Sequence, residues 1–232
     1  VTAILGIDTS TTHVGVALGV GGEVVAGTSE PAERRHAEML VPAIDALLRE
    51  AGVRPADLDA LAVGIGPGLF TGLRVGVTTA MVMGRALDVP VVPVPTLDLL
   101  ARPHEGDGRT IAAVVDAKRR EVFCATYSSG PSGLVRLSDD AVGPARGFAD
   151  ALDALGRDVL VVGDGAAAHP DAFADRSRCE LAGPHHAVPD PSTLVRHAFV
   201  DLAAGRGLDA DAVRPRYLRK SDAELNWDRA RR

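Results

Sequence analysis

Gly64-Ile65-Gly66-Pro67-Gly68-Leu69-Phe70-Thr71-Gly72, running on through Leu73-Arg74-Val75-Gly76-Val77 to Leu87, is the stretch on which the fold turns. The apolar run 61–65 reads as a buried strand, and the pattern over 72–87 as a helix. Strand, glycine turn and helix make one unit of an α/β protein. Glycine permits close backbone approach, and a helix N-terminus attracts anions. Thr71 is a natural N-cap. No Lys-Ser/Thr follows, so this is not a Walker loop. The third glycine is also misplaced for a dinucleotide fingerprint. A tight turn and an anion cradle both stay open.

Gly72, Gly76, Ala80 and Gly84 recur every four residues and lie along one helical face. A glycine inside a helix costs about 1 kcal/mol relative to alanine, so close packing must compensate. The other faces carry Leu73, Val75, Val77, Met81, Val82 and Met83, with only Arg74 and Arg85 charged. A helix apolar nearly all round is buried nearly all round. One face is expected to meet its own sheet and the other a partner. The alternative is packing against the helix at 37–51, whose stripe is Leu40, Ile44, Leu47, Leu48 and Ala51.

Upstream, strands are expected at 3–7, 14–20 and 24–28, the last two joined by Gly21-Gly22. Downstream come a strand at 91–94 and a short helix at 96–101. The order is βββαβαβα. Polar, Gly-containing residues 103–108 mark a boundary between an N-terminal lobe, 1–103, and a C-terminal lobe, 104–213. The second lobe opens with a hairpin, 111–116 and 121–127. A helix near 147–155, a strand at 159–162 and a helix at 193–204 follow.

The loop Asp8-Thr9-Ser10-Thr11-Thr12 holds a carboxylate and four hydroxyls. Such a set can hold a hydrated Mg²⁺ and phosphate, or can simply make a turn. Gly163-Asp164-Gly165 follows a strand and is open to the same two readings. Cys124 lies in an apolar strand pattern and reads as core. No histidine pair stands at i, i+3 or i, i+4, and His185-His186 reads as a solvated loop. There is no Gly-x-Ser-x-Gly elbow.

The chain has 232 residues, 46% of them hydrophobic and 24% charged, the balance of a globular protein. No apolar run approaches a membrane span. No basic residue precedes Arg34, so no secretory leader is expected. Two distant cysteines fit a reducing cytoplasm. The net charge of −6 argues against a self-sufficient nucleic-acid binder. Residues 214–232, however, carry seven basic and three acidic groups, a local +4. Either this tail is a solvated end, or Arg214, Arg216, Arg219 and Lys220 face tRNA phosphates or an acidic patch, with Tyr217 and Leu218 as anchors.

Ile7-Asp8-Thr9-Ser10 with Val16-Ala17-Leu18, His36-x-Glu38 with Pro42, and Gly66 through Gly76 resemble the TsaB family. Asp116-Ala117-Lys118-Arg119-x-Glu121-Val122-Phe123 and Tyr217-Leu218-Arg219 extend the resemblance over most of the chain. Leu69 stands where the family has serine, which takes a hydroxyl out of the loop. The resemblance implies an actin-like ATPase fold of two ribonuclease-H-like lobes. It implies a non-catalytic subunit of the bacterial machinery that forms threonylcarbamoyladenosine at position 37 of tRNA. The implied partners are a catalytic TsaD-like paralogue and a TsaE-like ATPase, which use ATP and Mg²⁺. The tRNA would be reached through the complex; the apolar stripe of the 72–87 helix, for its part, is expected to pair the chain alone as a homodimer. In the catalytic paralogue a His-x-x-x-His pair holds a metal; here those positions fall on Thr96 and Leu100, which supply no ligand pair.

The expected association surface is Leu40, Ile44, Leu47, Gly72, Leu73, Gly76, Val77, Ala80, Met83 and Gly84. Asp8, Thr9, Ser10, Gly66, Gly68, Gly163 and Gly165 are expected to be vestigial nucleotide loops, with no metal, cofactor or catalytic residue in the chain. The rival reading is a small actin-fold ATPase or kinase using Asp8 and these glycine loops.

Overall fold

The computed structural model describes residues 1–130, 133–173 and 176–219. The first lobe runs β1 (Ala3–Asp8), β2 (His13–Val20), β3 (Glu23–Pro31), α1 (His36–Glu50), β4 (Ala60–Gly66), α2 (Phe70–Leu87), β5 (Val91–Pro95) and α3 (Thr96–Ala101). Its sheet has the order β3-β2-β1-β4-β5. β1–β2–β3 pair antiparallel, while β1, β4 and β5 pair in parallel. Parallel neighbours need crossovers, and α1 and α2 provide them.

The second lobe runs β6 (Thr110–Lys118), β7 (Glu121–Gly130), β8 (Gly133–Arg136), β9 (Ala141–Pro144), α4 (Ala145–Asp153), β10 (Val159–Val162), α5 (Gly165–Ala168), α6 (Pro170–Phe173) and β11 (Cys179–Leu181). Its sheet has the order β11-β10-β6-β7-β8, with β9 on β7. Each lobe thus opens with an antiparallel hairpin and adds parallel strands beside its first.

Alternate residues of a strand face opposite sides. Leu5, Ile7, Leu61 and Val63 therefore pack with Leu40, Ile44 and Val77 of α1 and α2. Ile4, Ala60, Ala62, Val92 and Val94 form the opposite, equally apolar face. It is covered by Leu99 of α3 and by Leu194 and Ala198 of α7 (Pro191–Ala203). This corrects the lobe boundary: residues 191–213, expected in the second lobe, pack on the first. The doubly apolar sheet needs a second cover, and α1 and α2 lie on the other side. α3 sits between the sheets, with Leu97 and Leu100 against the second core.

After α7 the chain crosses the lobe junction as a strap. Val213 is buried, and the Arg216 amide donates to Ile65 O at 2.7 Å. Tyr217 packs on Phe70 of the first lobe, and Leu218 packs on the core of the second. Among the described residues no helix is long and apolar enough to cross a membrane.

Candidate functional site

The glycine edge of α2 faces its own lobe. A Cβ on Gly68 would overlap Ser10 O, one on Gly72 would overlap Thr9 O, and one on Gly76 would overlap Thr9 Oγ1. Thr9 Oγ1 donates to Gly72 O at 2.7 Å, which fixes the contact. Gly84 lies against Val91 and Ala210. The small-residue stripe therefore seats α2 on the β1–β2 loop and the core, not on another molecule.

Most of the expected association surface is corrected with it. Leu40, Ile44, Leu47, Leu73, Val77 and Ala80 are buried within the lobe, as are Gly72, Gly76 and Gly84. Val77 also edges a separate groove along α2, while Ile44 and Met83 reach an open surface. They help line an apolar groove of about 770 Å³ between α1 and α2, together with Val41, Thr78, Thr79 and Val82. Val41 and Val82 are 60% and 62% exposed, and sequence reading missed Val41. Its signal was present: Val41 stands one residue after Leu40 and seven before Leu48, so it borders the apolar stripe of α1.

The nucleotide-loop expectation meets the same packing. Asp8, Thr9, Ser10 and Thr11 are all buried. Asp8 accepts from Ser10 N at 3.1 Å and Ser10 Oγ at 2.9 Å, and Gly64 closes over its other oxygen. Gly66 donates its amide to Thr96 Oγ1 at 3.1 Å. Gly163 and Gly165 let the chain lie on Val114 of β6. These residues do not fit a resident Mg²⁺–nucleotide: the carboxylate and hydroxyls that would hold it are spent on, or covered by, their own chain. Thr96 and Leu100 are buried, and no group of three His, Cys, Asp or Glu among the described residues is placed to hold a metal. His186 is not a loose loop residue; its ring meets His104 edge-on at 4.5 Å. Burial pushes the Cys124 thiol up to about 12, which suits core and not nucleophile.

Burial also raises the Asp8 carboxyl to about 6, against the opposing pull of the Ser10 hydrogen bonds. The folded state then holds its proton more tightly than the unfolded state. The stability this gives is full below about 4 and is lost as pH rises from there through 6. Asp8→Asn keeps the acceptor for Ser10 and removes the buried charge. It is expected to raise stability by about 2–3 kcal/mol at pH 7–8 and to change little near pH 4. Urea unfolding at the two pH values checks this; equal effects at both would refute it.

Asp116, at the matching strand end of the second lobe, is held differently. Burial opposes its ionisation, but Lys118 Nζ at 2.6 Å and His169 at 3.2 Å keep its carboxyl below the usual range. Beside it an inter-lobe cleft of about 430 Å³ opens between the start of α2, the β6–β7 turn and the strap. Arg216 and Arg219 of the strap, for which a solvated end and a tRNA- or partner-facing role both stood open, pair with Asp140 at 2.8 Å and Glu121 at 2.7 Å. Arg214 donates to the carbonyls of Asp211 and Val213. Tyr217 and Leu218 anchor the segment, as one of the two sequence readings of the tail has it. Lys220, Trp227, Arg229, Arg231 and Arg232 lie outside the described residues.

Two hairpin-led lobes around a cleft, with the first loop covered from within, define an actin-like ATPase-fold protein. EutJ, an ethanolamine utilization protein of Carboxydothermus hydrogenoformans, shares that fold at a TM-score of 0.55 and 12% identity, covering 84% of this chain and 90% of its own. Residues 28–227 match the family model of TsaD, tRNA N6-adenosine threonylcarbamoyltransferase. The tRNA threonylcarbamoyladenosine biosynthesis protein TsaB of Bacillus subtilis is 30% identical over 97% of each chain. YeaZ from Pseudomonas aeruginosa superposes with a TM-score of 0.81 at 31% identity, covering 94% of this chain and all of its own. The chain belongs to the TsaB family of tRNA threonylcarbamoyladenosine biosynthesis proteins.

Proposed function

We propose that the chain is a scaffold subunit, without catalytic residues of its own, of the assembly that forms threonylcarbamoyladenosine at position 37 of tRNA. The observation that carries this reading is the apolar groove between α1 and α2. It has a wide aliphatic mouth, and the buried apolar stripes of both helices are already committed to the core. Such a patch on a surface helix pair suits another helix pair. The occupant is the catalytic TsaD-type paralogue, whose likeness to this chain is reflected in the family-model match. Two copies of this chain pair through the same groove when the paralogue is absent. ATP and Mg²⁺ act on the paralogue and on a separate TsaE-type ATPase, and tRNA is reached through the complex. The assembly works in the cytoplasm.

Co-purification with the paralogue, sized by light scattering, tests the reading. A heterodimer is the expected result, and two species that never associate would overturn it.

The rival reading, an actin-fold ATPase or kinase acting through Asp8, has the covered first loop against it. The isolated chain is expected to show no ATPase, kinase or peptidase activity with or without Mg²⁺. Turnover of about 1 s⁻¹ that vanishes on Asp8→Ala would establish the rival instead.

A further inference from the structure

The inter-lobe cleft is lined by Arg74, Lys118, Arg119, Arg216 and Arg219, with Phe70, Phe123 and Tyr217 as its aromatic part. Among the described residues no carboxylate lines it. A second groove of about 480 Å³, along α2, shares Arg74 and Tyr217 with the cleft and adds Arg85 and Arg214. Its single carboxylate is Asp211. The two grooves form one basic track on a chain whose net charge is −6.

Two of the ion pairs in the track leave their cation turned outward. Arg216 is 41% exposed in its side chain, whereas its partner Asp140 is fully buried. Lys118 is 56% exposed and its partner Asp116 only 10%. In these two pairs the cation faces water and the carboxylate lies beneath, whereas Arg219 with Glu121 and Arg85 with Asp211 are pairs whose two members are both open to water. Arg74 pairs with no carboxylate among the described residues. Its guanidinium lies 4.0 Å from the Phe70 ring centre and donates to Tyr217 Oη at 3.2 Å.

The β6–β7 turn adds an independent observation. Lys118, Arg119 and Arg120 all hold positive φ, at 62°, 59° and 65°. Glycine or asparagine would suit such a turn better, and each bulkier residue there costs about 1–2 kcal/mol. Stability alone does not explain a basic tip in that conformation.

We propose that this track binds the phosphate backbone of RNA, and that Phe70 and Tyr217 stack one unpaired base where the grooves meet. The proposal rests on the reading of the chain as a tRNA-modification subunit. Tyr217 is 41% exposed and its ring lies 4.9 Å from that of Phe70, so a face is free for a base. Two adjoining grooves in line suit successive nucleotides better than one small anion. Aromatic rings among arginines suit a nucleic acid better than an acidic peptide.

The test uses the full chain with unmodified tRNA and, separately, polyglutamate, titrated by fluorescence anisotropy across salt. Binding of tRNA should weaken with salt. Arg74→Gln and Lys118→Gln should each flatten the log–log slope by about 0.7–0.9. Tyr217→Ala should weaken binding about tenfold with the slope kept, and Tyr217→Phe should restore it. Arg157→Gln, outside both grooves, should change neither. The proposal falls if the wild-type chain binds no tRNA, if folded variants bind it with wild-type affinity and slope, or if polyglutamate binds the track and tRNA does not. A reconstituted modification reaction separates the two readings. Modification that proceeds while the track variants leave tRNA affinity untouched sinks the track alone. Track-dependent tRNA binding by a chain that supports no modification upholds the track and sinks the scaffold reading.

Discussion

Gly72→Val should unfold the first lobe instead of loosening an interface. Overpacking a core typically costs about 1–3 kcal/mol when neighbouring side chains can shift. Here the obstacle is the Thr9 carbonyl, in a backbone loop tied to α2 by the Thr9 Oγ1–Gly72 O hydrogen bond. A loss on the order of 4–5 kcal/mol is expected, a large share of the stability of an ordinary domain. Gly76→Leu should follow, because its side chain would run into Thr9 Oγ1 and Ile7. Both variants should show a lowered urea midpoint by circular dichroism even without a partner present. An unchanged midpoint for Gly72→Val would mean that α2 does not rest on the β1–β2 loop.

Val41→Glu with Val82→Glu should do the opposite, leaving the fold intact and abolishing association with the paralogue. Both side chains are mostly exposed, so the isolated chain loses little by the change. In a closed apolar interface each new carboxylate would be buried without a partner, at several kcal/mol. A fall in affinity of at least about 100-fold is expected, since that needs only about 2.7 kcal/mol. The proposed homodimer of the isolated chain should disappear with it. A folded double variant that binds the paralogue as tightly as the wild type would remove the groove from the functional account.

These two variants separate what periodicity reveals from what it leaves open. The four-residue glycine repeat shows that one face of α2 is buried, because nothing else compensates three helical glycines. It does not show against what. The β1–β2 loop lies more than sixty positions upstream, and only the fold brings Thr9 under Gly72. The helices at 37–51 and 72–87 appear as His36–Glu50 and Phe70–Leu87, and the strand at 159–162 and the helix at 96–101 match residue for residue. The short strands Gly133–Arg136, Ala141–Pro144 and Cys179–Leu181 escape sequence reading, because three or four half-exposed residues carry no period. The basic track escapes for a related reason. Its cations come from α2, the β6–β7 turn and the strap, three segments that no local pattern joins.

The cover that α7 lays on the first sheet has a consequence during synthesis. β1, β4 and β5 leave the ribosome with Ile4, Ala62 and Val94 covered on one side by Leu99 of α3 but not yet by α7. Leu194 and Ala198 are made about a hundred residues later. At ~5–20 residues per second, that face waits about 5–20 s for its cover. The nascent first lobe thus holds an apolar face that a segment made much later completes.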